Sequence, residues 1–220
     1  MITRLKEIAQ KVKTLKSKRL SVACGEDPHT IEAVAQAVKE GIVRAVLTGD
    51  REKIIKVADQ HQVDSSLFEI DHEPEMNKAL VSAISKVRTK ECDFLMKGLI
   101  DSAPYMHAIL EESKKSSSSG QIVSHVSVIE LPTYFKLLTV SDIAVIPYPD
   151  LKQKIAMLNY SIDVAHKLGI ERPKSALICA VEKVNPKMNP TVEAALIAKM
   201  AERGQIKGSI VDGPLSLDLA

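Results

Sequence analysis

Four short stretches of this sequence bring together residue types that could hold an anion or move a proton. Lys97 and Gly98 follow an apolar run and precede the polar pair Asp101 and Ser102. A lysine directly after a buried strand, with glycine behind it and a helix ahead, sets an ammonium and backbone N–H groups on one rim, an arrangement that suits a phosphate. The same spacing serves a lysine that covers the sheet edge and a glycine needed only for the turn, and spacing leaves the two readings open. Ser124 and His125 suggest a nucleophile and its base. Successive side chains on a strand point to opposite faces, so this pair cannot hydrogen-bond as a catalytic triad does, and His125 reads either as a structural histidine or as a substrate contact. Asn185 and Lys187 lie in a polar turn with Pro186, Asn189 and Pro190, where they offer a neutral donor and a charge. Asp212, ahead of Gly213 and Pro214, reads either as the cap of a helix starting near Pro214 or as a group that orients a substrate or a cation.

Other chemistries find little support. The 6 histidines have no H-x-x-x-H or H-x-H spacing, so no metal site is expected. The 3 cysteines are far apart and form no C-x-x-C pair, which argues against a disulfide framework; Cys24 and Cys179 sit in apolar runs and read as buried hydrophobes. Gly25 and the Thr48-Gly49-Asp50 turn both follow strands, yet neither belongs to a G-x-G-x-x-G or Walker pattern, so a dinucleotide or a P-loop nucleotide is not expected.

The elements that must position these residues alternate between strand and helix. Strands are expected at 19–24, 44–48, 67–70 and 94–96, with helices over 28–40, 51–60 and 74–89 between them. Asp27 can cap the first of these helices while Pro28 takes its first position, and Gly41 ends it. Residues 111–120 are rich in Ser and end in Gly, the composition of a surface connection, and place a boundary between a first α/β domain (1–121) and a second (122–220). In the second half, strands are expected at 126–129, 143–146 and 175–181, with a helix over 151–168 capped by Asp150. A helix from Thr191, closed by Gly204, and a strand over 206–211 complete a βαβ unit whose strands must run parallel. Ligands of open parallel sheets sit beyond the carboxyl ends of the strands, so the loops at 181–189 and 211–218 belong on one functional rim. The fold class is α/β, two doubly wound, mainly parallel-sheet domains with an interdomain cleft as the natural ligand site.

Composition agrees with that frame. Hydrophobic residues make up 45% and charged residues 26%, ordinary for a globular protein, while aromatics are only 3%, so the core must be aliphatic, as suits parallel strands covered by helices. A net charge of +2 gives no field that implies nucleic acid or a membrane surface as partner. The amphipathic N-terminal stretch, with apolar residues at Ile2, Leu5, Ile8, Val12 and Leu15, has no apolar core long enough for a signal peptide, and no run reaches membrane-spanning length, so the expected compartment is the cytoplasm.

Several strings also resemble the phosphate acetyl/butyryl transferase family, most closely its phosphate butyryltransferase branch: FLMKGLI (94–100), SHVSVIELP (124–132), the Ser141-Asp142 pair, VNPKM, RGQIKG and VDGPLSLD, in this order. The resemblance runs from about Ser21 to Ala220. It implies an architecture like that of isocitrate and isopropylmalate dehydrogenases, a homodimer, and reversible exchange of a butyryl or branched short-chain acyl group between coenzyme A and inorganic phosphate, with no tightly bound cofactor and coenzyme A as a substrate. It also implies that Lys97-Gly98 and Ser124-His125 face the cleft where substrates bind; on their own loops, Asn185 and Lys187 offer a neutral donor and a charge to a phosphate or a pantetheine amide, and Asp212 with Gly213 completes the expected substrate-binding set. The family's Gly-Asn-Ile loop and its Ser-Arg loop do not occur here, and no residue of this chain maps onto the serine, arginine and aspartate given catalytic roles, so the second domain reads as unfinished. Two alternatives follow: an inactive remnant that binds coenzyme A or acyl phosphate, and a metal- and NAD-dependent decarboxylating dehydrogenase, for which the metal-binding aspartates and nucleotide loop are not found.

Overall fold

The computed structural model describes residues 1–115 and 122–220. The chain separates into two compact units, one of Ala9–Gln121 and one of Met1–Ile8 with Ile122–Ala220. The first helix, α1 (Leu5–Lys13), begins in the latter and ends in the former.

The Ala9–Gln121 unit alternates β1 (Lys18–Ala23), α2 (Pro28–Lys39), β2 (Val43–Gly49), α3 (Arg51–Gln60), β3 (Glu69–His72), α4 (Met76–Arg88), β4 (Phe94–Lys97) and α5 (Ser102–Lys115). Its strands form one parallel sheet in the order β3-β2-β1-β4. The two-residue period of β1 explains why both faces are covered. Leu20 and Val22 point to one face and pack with Ile31 and Val34 of α2 and Ile54 and Ala58 of α3. Ala23 points to the other and packs with Ala79, Leu80 and Ala83 of α4, where Ser21 also donates its hydroxyl to the Ala83 carbonyl at 3.0 Å. The helices begin where carboxylates meet their open N–H groups: Asp27 accepts from Thr30 N at 3.0 Å with Pro28 at the first position, and Asp50 accepts from Glu52 N at 3.0 Å. From β1 the chain winds outward to β3, then α4 carries it back across to β4 on the other side of β1. That reversal makes the carboxyl ends of β1 and β4 the topological switch point of the sheet, the place where ligands of such sheets bind.

Two expectations for this unit shift. The strand expected at 67–70 starts two residues later, because Ser65–Leu67 closes a 3-10 turn capped by Asp64. The expected connection at 111–120 is helical as far as Lys115, the end of α5; its remaining residues, 116–120, lie outside the described residues.

The other unit contains β5 (Ser127–Ile129), β6 (Leu138–Val140), α6 (Leu151–Lys167), β7 (Lys174–Ile178), α7 (Asn189–Glu202) and β8 (Ile210–Leu215). The expected βαβ unit is present, with β7 and β8 parallel and Leu158, Ile162, Ile197 and Ile206 in the core beside them. Asp150 and Gln153 form a reciprocal capping box at the start of α6. A second doubly wound sheet is not found among the described residues, where β5 and β6 pair antiparallel and stand apart from β7 and β8. The strand expected at 143–146 fails because Asp142 Oδ1 accepts the N–H groups of Ala144 and Val145, both at 2.8 Å, which a ladder would need. The last strand also moves, from 206–211 to Ile210–Leu215: Ile206 is buried in the core, and Gly208, at φ 85°, turns the chain beside His166. Met1–Ile8 joins this unit through Ile2 N donating to the Leu168 carbonyl at 2.8 Å, Leu5 N to Glu130 Oε2 at 2.8 Å, and Arg4 Nη1 to Glu130 Oε1 at 3.2 Å. Among the described residues no helix is long and apolar enough to cross a membrane, and no cluster of three or more His, Cys, Asp or Glu is placed to hold a metal ion.

Candidate active site

Lys97 ends β4 next to the end of β1, with Ala23 as its register partner, so it stands at the switch point of the parallel sheet. The side chain is exposed, and its ammonium donates to the Ile100 carbonyl at 2.7 Å and, at the 3.5 Å limit, to that of Gly98. An ammonium has three protons and these partners are neutral; among the described residues Lys97 makes no ion pair. Its charge is therefore uncompensated and available to an anion. Gly98 is engaged by the turn, the second of the two readings left open by the spacing. Its N–H donates to the Ala23 carbonyl at 2.9 Å, and the next two N–H groups go to Cys24 O at 2.7 Å and Gly98 O at 2.9 Å. The N–H groups of residues 98–100 are therefore taken by the end of β1 and by the turn itself. Gly98 is needed because the end of β1 runs against it: a Cβ would lie 2.2 Å from the Cys24 carbonyl oxygen.

Ser124 and His125 meet through Asp142. The Ser124 hydroxyl donates to Asp142 Oδ2 at 2.8 Å, and the His125 N–H donates to the same oxygen at 3.1 Å. The Ser141 hydroxyl donates to the His125 carbonyl at 2.8 Å, so the His125 peptide is pinned on both sides, while its ring Nδ1 is shielded from solvent with no partner among the described residues. Burial works to raise the Asp142 carboxyl, but the N–H groups of Ala144 and Val145, the Ser124 hydroxyl and the His125 N–H outweigh it and hold the group down at about 2. A carboxylate with both oxygens filled and so low a pKa is an anchor and not a base.

Asn185 is committed largely to its own turn. Its Oδ1 accepts from Lys187 N at 3.0 Å, and its N–H donates to Thr191 Oγ1 at 2.8 Å; the buried Thr191 hydroxyl donates in turn to Met188 O at 2.8 Å. Lys187 is exposed on the same turn, beyond the carboxyl end of β7. Asp212 and Gly213 lie within β8, so of the two readings of Asp212 the helix cap does not apply; Asp212 pairs in register with Ala176, is exposed, and accepts the Gly213 N–H at 2.8 Å. Both line an open hollow of about 420 Å³ against α7, with Ala195, Ala198, Lys199 and Ser209. Hydrogen bonds thus join Ser124 with His125, Asn185 with Lys187, and Asp212 with Gly213. Among the described residues none links these groups to one another.

The sequence pattern of the phosphate acetyl/butaryl transferase family matches residues 69–220, which take in the Lys97 turn, the Asp142 node and the β7-α7-β8 unit. The chain belongs to this family. It is 44% identical over 220 residues to a phosphate butyryltransferase of Clostridium acetobutylicum, covering 100% of this chain and 73% of that one. It is 41% identical over 205 residues to a phosphate acetyltransferase of Thermotoga maritima, covering 92% of this chain and 68% of the relative. The solved structure of a branched-chain phosphotransacylase from Enterococcus faecalis superposes with a TM-score of 0.73 at 28% identity, covering 92% of this chain and 70% of that one.

Within the phosphate acetyl/butaryl transferase segment, the residue that sequence reasoning missed is Asp142. The Ser141-Asp142 pair marks the resemblance, yet its partners Ser124 and His125 lie 18 and 17 residues earlier, and no local period reports that pairing. The available signal is an aspartate just before a run that looks like a strand, the usual sign of a side chain that takes backbone N–H groups for itself.

Proposed function

We propose that this chain transfers a short acyl group between coenzyme A and inorganic phosphate, forming an acyl phosphate on one side and the free thiol on the other. The observation that carries the reading is Lys97, an exposed ammonium at the switch point of the parallel sheet whose partners among the described residues are neutral carbonyls. Such a charge suits a phosphate oxygen, or the oxyanion that develops as the coenzyme thiolate attacks the acyl carbonyl. Lys187, on the turn after β7, offers a second, weaker charge. Family membership supports the reaction type, and the names of the relatives support a butyryl or branched-chain acyl group, with acetyl as the competing choice.

Ser124, His125, Asn185, Lys187, Asp212 and Gly213 remain the proposed substrate contacts, and Gly98 is the residue that lets Lys97 reach its place. Coenzyme A enters as a substrate with no resident cofactor, and the protein works as a cytoplasmic homodimer. The two compact units are proposed as domains of the isocitrate/isopropylmalate dehydrogenase-like architecture, divided near residues 121 and 122. None of the relatives described above carries a dehydrogenase name. The test is release of free thiol from butyryl-CoA on addition of phosphate. Release that depends on phosphate supports transfer; tight binding of butyryl-CoA without release favours an inactive binder, and neither binding nor release defeats both.

A further inference from the structure

The protons around Asp142 have fixed addresses. The Ser124 hydroxyl gives its one proton to Asp142 Oδ2 at 2.8 Å, and the Ser141 hydroxyl gives its own to the His125 carbonyl at 2.8 Å. The two hydroxyl oxygens stand 3.5 Å apart with only lone pairs to show each other. Turning either proton toward the other oxygen would give up a charge-assisted bond to Asp142, or strand the His125 carbonyl, in exchange for a contact at the limit of hydrogen bonding. Asp142 itself cannot reorient, because Oδ1 is held by the N–H groups of Ala144 and Val145 and Oδ2 also takes the His125 N–H.

We infer that Asp142 is a positioning residue that turns Ser124 and Ser141 into a paired acceptor, a subsite for an amide N–H of the pantetheine arm and not for phosphate. The identity of the arm rests on the acyl-transfer reading; the acceptor character rests on the hydrogen bonds alone. A phosphate dianion presents mostly acceptors and would bring its charge toward that of Asp142, which stays ionised throughout the neutral range. A secondary amide presents one N–H that two oxygens 3.5 Å apart can share.

Calorimetric titration of the 220-residue chain with pantetheine, with coenzyme A and with inorganic phosphate tests this. Ser124→Ala leaves the three N–H bonds to Asp142 in place and is expected to weaken pantetheine about tenfold, the value of one hydrogen bond, with phosphate affinity unchanged. Ser124→Thr, which keeps the hydroxyl, restores pantetheine binding. Asp142→Asn aims an amide N–H at Ser124 and turns its hydroxyl, so pantetheine weakens by at least as much while phosphate does not. Pantetheine affinity unchanged in Ser124→Ala, or phosphate affinity lost in step with it, overturns the inference. Wild-type chain that binds phosphate but not pantetheine overturns the subsite and leaves the acyl-transfer reading standing on Lys97; chain that binds neither overturns both.

Discussion

Gly98 and Cys24 approach so closely that the glycine cannot carry a side chain: a Cβ at residue 98 would lie 2.2 Å from the Cys24 carbonyl oxygen and 2.8 Å from that of Ala23. The backbone it would strike is the backbone it pairs with, through Gly98 N to Ala23 O at 2.9 Å and Leu99 N to Cys24 O at 2.7 Å. Gly98→Ala must break these bonds or bend β1, which is buried on both faces. Overpacking usually costs about 1–3 kcal/mol, and a rigid carbonyl as the obstacle puts this substitution at or above the upper end. A fall in the urea midpoint reads it; an unchanged midpoint would mean that the ends of β1 and β4 are free to separate.

Lys97 should behave in the opposite way. It is exposed and, among the described residues, tied to carbonyls of its own turn, so Lys97→Met is expected to shift stability by less than about 0.5 kcal/mol. Phosphate affinity should fall roughly 10- to 100-fold, the worth of one hydrogen bond from a charged donor. Titration with inorganic phosphate at fixed ionic strength checks the pair of outcomes, and phosphate binding at wild-type strength would remove Lys97 from the site.

Asp142 gives a pH signature. Its folded value, about 2, lies below its ordinary value of 3.8, so the folded state favours the charged form. The stabilisation is fully present above the unfolded pKa and is lost as pH falls through the folded one. A depression of this size corresponds to about 2 kcal/mol, an upper figure for a group in partial contact with solvent. Urea unfolding of wild type and Asp142→Asn between pH 5 and 2 should show the two stabilities converging as pH falls from about 4 toward 2. Parallel curves over that window would show that the four hydrogen bonds at Asp142 carry no such linkage.

Thr191 tests the turn that holds Asn185 and Lys187. Its hydroxyl is fully buried and bridges the Asn185 N–H, the Asn185 carbonyl at 3.1 Å and the Met188 carbonyl. Thr191→Val keeps the shape and strands those backbone groups, with an expected loss of about 1–3 kcal/mol in thermal or urea unfolding. If the turn positions ligand groups, affinity for phosphate or coenzyme A falls in the same variant under conditions where it remains folded.

Much of the helical framework was legible because caps are local. Asp27 with Pro28 and Asp150 announce helix starts within a few residues, and α3 occupies the expected span. The first sheet followed from its strand-helix alternation. What escaped were effects of distant chain on apolar runs that look alike. Residues 143–146 have the composition of a strand, but Asp142 takes their N–H groups; Ile206 is apolar because it fills the core and not because it starts a strand. The same limit applies to the site. Lys97 could be picked out by type and place, but the engagement of the Gly98 N–H depends on where β1 ends, more than 70 residues earlier, and the Ser124 partner on a segment 18 residues away.

The anchoring of residues 2–5 has a consequence for the order of events during synthesis. Their partners Glu130 and Leu168 leave the ribosome long after they do, Glu130 being 125 residues behind Leu5. The Ala9–Gln121 unit, translated in between, already contains every strand of its own sheet when Glu130 emerges. Residues 2–5 are therefore made well before their partners, and these contacts close only after the whole of the Ala9–Gln121 unit has been translated.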